Sequence, residues 1–374
     1  MGVEKNIRVV LVSFSELPTM QKYLYYTYEE LRSQAVEAWT LGSASLAIDM
    51  VTSERNWLVE TPDSPRPSVE SIKAARDMSR ELASRIAAVN PDVVHFVNKH
   101  TWNYFLIRAL RKTIPDVHIL HTFHDPIGHE GDSIQRGVVL YHKVVQRMLD
   151  GIVVHSSVAL EQAKSKLRPK CSVFQVPLGV VRWIPYDGPC AGRKEALIFG
   201  RINSYKGVKL YPQILRRINE LDPEVRVVIA GKPANDIEPA LLNEVSSQPN
   251  AECHYGFIEE QDLDAYFSQC SIVLMPYTSI TQSGVVLDAY SHSRCVVAFD
   301  IEGIRQYVPD PSQLVSAFDC DLYAKRIVSL LNDSESLCLK AHDSWKFGKE
   351  HYAPESMANE LLRVYEEVTD DAGR

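Results

Sequence analysis

Short runs of β-branched and aromatic residues alternate with longer amphipathic stretches along the whole chain, and this alternation restricts the fold more than any single motif. Strands separated by helix-length segments cannot pair as tight hairpins, so they read as βαβ units around parallel sheets. The first series of candidate strands covers residues 7–14, 44–50, 93–97, 117–123, 151–155 and 173–176. A charged, Ala-rich stretch over 69–89 has helical spacing, and Asn90-Pro91-Asp92 stops it before the next strand. A second series covers 196–200, 225–230, 251–254, 272–275 and 295–299.

Between the two series lies the turn-rich segment 181–192, with Pro185, Gly188, Pro189 and Gly192. The expected organisation is an α/β fold of two Rossmann-like domains with parallel sheets, residues 1–184 and 185–350. A terminal amphipathic helix over 351–374 should pack back on the body, because Met357, Leu361, Leu362, Val364, Tyr365 and Val368 recur at helical spacing. A length of 374 residues suits two such cores.

Composition excludes several classes. Hydrophobic residues at 45% and charged residues at 24% are those of an ordinary globular protein. No apolar run reaches the roughly 18 residues of a membrane helix. The start of the chain reads as a strand rather than a signal peptide, and Asn6 spoils a myristoylation signal. Seven cysteines without a CxxC pair fit a reducing, cytoplasmic setting.

The net charge of −8 is uneven: residues 1–185 hold 22 Lys and Arg against 19 Asp and Glu, and the remainder hold 18 against 29. The basic half, with runs at 108–112 and 164–170, suits peripheral contact with an anionic membrane at the inner face as well as it suits a solvated helix face. GxSxG, GxxxxGK[ST] and GxGxxG are all missing, which disfavours hydrolase, P-loop and nicotinamide chemistry.

Two segments carry candidate chemistry. After the strand ending at Gly200, Arg201 and Lys206 project from the following loop, where open α/β sheets bind ligands, and a guanidinium with an ammonium suits a diphosphate. After the strand 272–275, Gln282 and Ser283 precede a helix, with Ser283 as the expected N-cap. The amides of Gly284, Val285 and Val286 would face an anion, and Asp288 follows one turn later for a ribose diol.

Together these segments resemble the donor-binding half of the retaining GT-B glycosyltransferases of glycosyltransferase family four, which show Gly-Arg then Lys-Gly followed by a motif entering a later helix. The resemblance extends through residues 296–308. It implies a transferase that moves a hexose-type sugar from a nucleotide diphosphate to a hydroxyl of a glycan, lipid-linked or polysaccharide-precursor acceptor. It also implies retention by a front-face route and no cofactor beyond the donor. Arg201 and Lys206 would hold the diphosphate with the amides at Ser283–Val285, and Asp288 would hold the ribose. The run Leu120–Pro126 is similar to the family's strand-end histidine, so His124 would meet the transferred sugar and Asp125 would orient its ring.

Two positions depart from the family. Ile280 stands where the first of two acidic residues eight apart is usual, and Ser13–Thr19 lacks the family's glycine pair. A catalytically silent nucleotide-binding regulator or assembly subunit and a nucleotide-sugar epimerase on the same fold stay open as alternatives. No metal site is expected: the histidines 118, 121, 124 and 129 lack a ligand spacing, and Asp319-Cys320-Asp321 reads as a helix cap.

Overall fold

The computed structural model describes residues 7–34, 36–44, 54–61, 69–128, 135–179, 182–189 and 192–370. The chain divides into two compact units, Met1–Val180 with Pro354–Arg374, and Val181–Ala353.

The first unit carries β1 (Arg8–Ser13), α1 (Pro18–Ser33), β2 (Glu37–Ser43), β3 (Asn56–Val59), α2 (Val69–Ala88), β4 (Val93–Phe96) and α3 (Asn103–Thr113). It continues through β5 (His118–Thr122), α4 (Gln135–Val145), β6 (Gly151–Val154), α5 (Ser157–Gln162) and β7 (Ser172–Gln175). The strands lie in the order β3-β2-β1-β4-β5-β6-β7, all parallel. Helices cover both faces of such a sheet, and for that reason β1, β4 and β6 are buried along almost their whole length, with no polar-apolar alternation.

The second unit carries β8 (Glu195–Phe199), α6 (Tyr211–Leu221), β9 (Arg226–Gly231), α7 (Pro239–Ser246), β10 (Ala251–Tyr255), α8 (Glu260–Gln269) and β11 (Ile272–Met275). Then come α9 (Gly284–Ser291), β12 (Cys295–Phe299), α10 (Glu302–Arg305), β13 (Leu314–Val315), α11 (Cys320–Leu331) and α12 (Ser334–Tyr352). Its order is β10-β9-β8-β11-β12-β13, again all parallel. The last helix, α13 (Pro354–Asp370), returns to the first unit. There Tyr365 Oη meets Nδ1 of the buried His95 on β4 at 2.8 Å.

The fold class is the α/β double sheet expected from the alternation. Individual strands differ. The expected strand 44–50 lies outside the described residues apart from Ala44, as do most of the Pro-rich loop 61–68, His129 and Cys190. Next to β1 sits β2, whose sequence Glu37-Ala-Trp-Thr-Leu-Gly-Ser43 has no β-branched run and is a strand through burial on both faces.

Candidate donor site

In each unit the strand order reverses beside the first strand: between β1 and β4, and between β8 and β11. Crevices outside the carboxyl ends of strands at such reversals are where open α/β sheets take ligands. Both segments singled out in the second half of the sequence leave from the strands flanking its reversal, the loop 200–207 from β8 and the loop 276–283 from β11.

Glycines hold these loops together. Gly200 has φ +87°, and a Cβ there would lie 2.9 Å from Lys206 Nζ and 3.4 Å from Val285 Cγ2. The first loop and the start of α9 are thus neighbours. Gly207 has φ +77°, and a Cβ would fall 1.9 Å from the carbonyl oxygen of Pro276. The backbone amide of Thr278 donates to the Tyr205 carbonyl at 2.7 Å, tying the second loop to the first.

Gly207→Ala therefore combines a disfavoured backbone conformation with a backbone clash, and should destabilise the protein by about 2–4 kcal/mol. Denaturant melts of the variant test this; an unchanged midpoint would contradict the packing.

Lys206 is buried, with its ammonium donating to the Phe199 carbonyl at 3.1 Å and lying 5.3 Å from the centroid of the Tyr277 ring. Burial first and the nearby Arg201 cation second bring its pKa down to about 8, against the opposing pull of the Asp288 carboxylate. Arg201 is exposed, its Nε donating to Asn203 Oδ1 at 3.1 Å. The site pairs one solvated cation with one fixed and desolvated.

Ser283 occupies the N-cap position of α9, but its hydroxyl accepts no hydrogen bond from the helix, contrary to the expected side-chain cap. The amides of the first turn have no intrahelical partner in any helix, so here they remain directed at whatever lies beyond the N-terminus. Gln282 Oε1 is buried without a hydrogen-bond partner beside them. Asp288 is half-buried one turn into α9.

Ile280 is 7% exposed, and its carbonyl oxygen lies 2.1 Å from where a Cβ on Gly303 would be. The residue at the family's acidic position is here an apolar anchor that seats the loop against α10. Asp319 caps α11 by accepting from the Leu322 amide at 2.9 Å, and Asp321 pairs with Arg217 and Lys325 at 2.6 Å each. These contacts account for the DxD string as a helix start. Among the described residues no group of three or more His, Cys, Asp or Glu is placed to hold a metal ion.

In the first unit, β5 ends at Thr122 and His124 lies two residues beyond. Its Nε2–H donates to the Val97 carbonyl at 2.9 Å, while Nδ1 is buried with no hydrogen-bond partner. The Val97 carbonyl thus sets the ring's orientation; the Asp125 carboxylate acts on the ring through its charge, favouring protonation against the stronger effect of burial. The His124 ring sits 5.2 Å from Tyr23 and 4.9 Å from His155, centroid to centroid. Where a glycine pair would be usual after β1, Phe14 is buried and packs edge-on against Trp102 at 5.9 Å.

Sequence reasoning did not find Tyr277, which faces the buried lysine; only its place at a strand end could have flagged it. Gly303 falls within the resembling stretch 296–308, but the sequence alone does not show that its missing side chain admits the Ile280 loop.

Two all-parallel sheets, each with its strand reversal, are the architecture of the GT-B glycosyltransferases. The chain belongs to glycosyltransferase family 4: residues 20–181 match the model described as Glycosyltransferase Family 4, and residues 193–333 match Glycosyl transferases group 1. The fold is similar to sucrose-phosphate synthase from Thermosynechococcus elongatus, with 14% identity, TM-score 0.71, and 98% of this chain and 100% of that one covered. It is likewise similar to HepE from Anabaena in complex with UDP, with 12% identity, TM-score 0.70, and 96% and 100% covered. In sequence, 103 residues are 32% identical to a GDP-mannose:glycolipid 4-beta-D-mannosyltransferase of Xanthomonas campestris pv. campestris. That match spans 27% of this chain and 29% of the relative.

Proposed function

We propose that this glycosyltransferase transfers a hexose-type sugar from a nucleotide diphosphate to a hydroxyl of a glycan or lipid-linked acceptor, with no divalent metal and no cofactor beyond the donor. The observation that carries the reading is the meeting of Arg201, buried Lys206 and the open N-terminus of α9 at the strand reversal of the second unit. As the anomeric C–O bond breaks, negative charge grows on the leaving diphosphate, and preorganised cations and amides stabilise it as a metal does elsewhere. Asp288 is assigned to the ribose, Gln282 to polar contacts beside the diphosphate, and His124 with Asp125 to the transferred sugar. UDP in HepE and the GDP-mannose and glycolipid of the Xanthomonas relative's name support a nucleotide-sugar donor and a lipid-linked acceptor.

Resemblance to the retaining members supports retention of the anomeric configuration. One observation favours inversion: the relative's name specifies a β-linkage, and a β product from an α-linked donor requires inversion. Proton NMR of the first-formed product decides between them, with an α-anomer from an α-linked donor expected. Among the described residues no helix is long and apolar enough to cross a membrane, and the excess of cations in the first half supports peripheral contact with an anionic membrane face.

The experiment is transfer from a panel of UDP- and GDP-sugars, with and without EDTA. One donor should be consumed at an unchanged rate in the chelator. Loss of activity that magnesium or manganese restores would overturn the metal-independent reading.

A further inference from the structure

We propose that the outer face of α4, with the turn that follows α5, is a docking surface for an anionic lipid bilayer. This rests on the peripheral contact proposed above and narrows it to one place. The inner face of α4 is committed to the core, with Val138, His142 and Val145 buried. Its outer face presents Arg136, Leu140, Lys143 and Val144, and the 3-10 turn Gln146–Met148 continues it with Arg147, at a spacing of three, four and seven residues, all exposed. Leu140 is 65% exposed and Val144 39%. A single exposed leucine is ordinary, but two apolar side chains one turn apart and flanked by cations form the pattern of an interfacial helix.

A second acid-free segment joins the first. Gln146 Nε2 donates to the Leu167 carbonyl at 3.2 Å, holding the π-helical turn Ala163–Leu167 and the residues after it against the end of α4. Lys164, Lys166, Arg168 and Lys170 are exposed there. Residues 135–148 and 163–171 contain no carboxylate. Among the described residues none of these seven cations forms an ion pair, whereas Arg111 on the neighbouring α3 is bound to Asp150 at 2.6 Å. Lys143, Arg147, Arg168 and Lys170 line one hollow of about 510 Å³, wide enough for a phosphate-bearing headgroup.

Charge complementarity selects the occupant. The chain as a whole is acidic, so a field that attracts polyanions at large is missing, while this one face offers cations around an apolar centre. Leu140 and Val144 would enter the boundary between headgroups and acyl chains, with the cations at the headgroup level.

The test is flotation of the full chain with equimolar phosphatidylglycerol and phosphatidylcholine vesicles at low salt. Each basic residue near an anionic surface contributes roughly fivefold, so the triple variant Arg136→Gln, Lys143→Gln, Arg147→Gln should lose about two orders of magnitude in partitioning. The pair Leu140→Ser, Val144→Ser should lose about tenfold or more. A control of equal charge change, Arg76→Gln, Arg80→Gln, Arg108→Gln in the separate basic groove between α2 and α3, should lose far less. All these side chains lie at the surface, and unchanged melting temperatures show that each variant folds. If the wild-type chain does not float, peripheral contact fails together with this surface. Should it float while the α4 variants match it, or the groove control fall as far as they do, contact stands and the assignment to α4 is overturned.

Discussion

Lowering the pH from 7 to 5.5 should cost the first unit several kcal/mol of stability while the second unit is affected far less. His95, His121, His142 and His155 are all buried in the first unit, and burial holds each imidazole below its ordinary value, His95 at about 3 and His142 at about 4. Their ring nitrogens serve as neutral partners: Nδ1–H of His142 donates to the Pro126 carbonyl at 2.8 Å, and that of His155 to the Val176 carbonyl at 3.0 Å. The unfolded chain binds protons on these rings near pH 6.5, and the folded one does not. Their contribution is therefore complete above about pH 6.5 and is lost as the pH falls toward the folded values. At about 1.4 kcal/mol per pH unit and ring, four rings amount to roughly 5 kcal/mol by pH 5.5. That rivals the whole stability of a typical domain. Denaturant melts at both pH values check it, and equal midpoints would contradict neutral burial of these histidines.

The second large effect concerns Lys206. Holding an ammonium where its pKa is about 8 instead of 10.5 costs roughly 3 kcal/mol at neutral pH, at about 1.4 kcal/mol for each tenfold change in proton affinity. The folded-state value is depressed, so the penalty is complete below about pH 8 and is relieved as the pH rises toward 10.5. Lys206→Met should accordingly raise the melting temperature at pH 7 while weakening nucleotide diphosphate binding by at least tenfold, since the charge-assisted contact is gone. In the wild-type protein, affinity for the diphosphate should fall as the pH rises from 7 to 9 and the free ammonium loses its proton. A variant that is less stable and binds as well as the parent would show that Lys206 serves packing instead.

How legible this site was follows from how local each signal is. Arg201, Lys206 and the start of α9 were readable because each belongs to a strand, loop and helix sequence whose order is local. Their meeting was not readable: it depends on β8 lying beside β11, and on Gly200 and Gly207 allowing backbones to approach closely. The strand β2 was missed because Glu37–Ser43 becomes a strand through pairing with β1 and carries little propensity of its own. His124 was found from its neighbours, but the buried Val97 carbonyl that fixes its ring comes from the residue just past β4, 27 positions away. Asp319 was legible as a cap because capping acts over three residues.

The central claim is that the second unit's strand reversal holds the donor's diphosphate. Calorimetric titration of UDP and GDP into the wild-type chain, Arg201→Ala and His124→Ala tests it most directly. One nucleotide should bind the wild type, bind His124→Ala equally well, and bind Arg201→Ala more weakly by about 1.5–3 kcal/mol, the worth of a hydrogen bond to a charged group. Binding that Arg201→Ala leaves intact, or no binding of either nucleotide, would contradict the assignment.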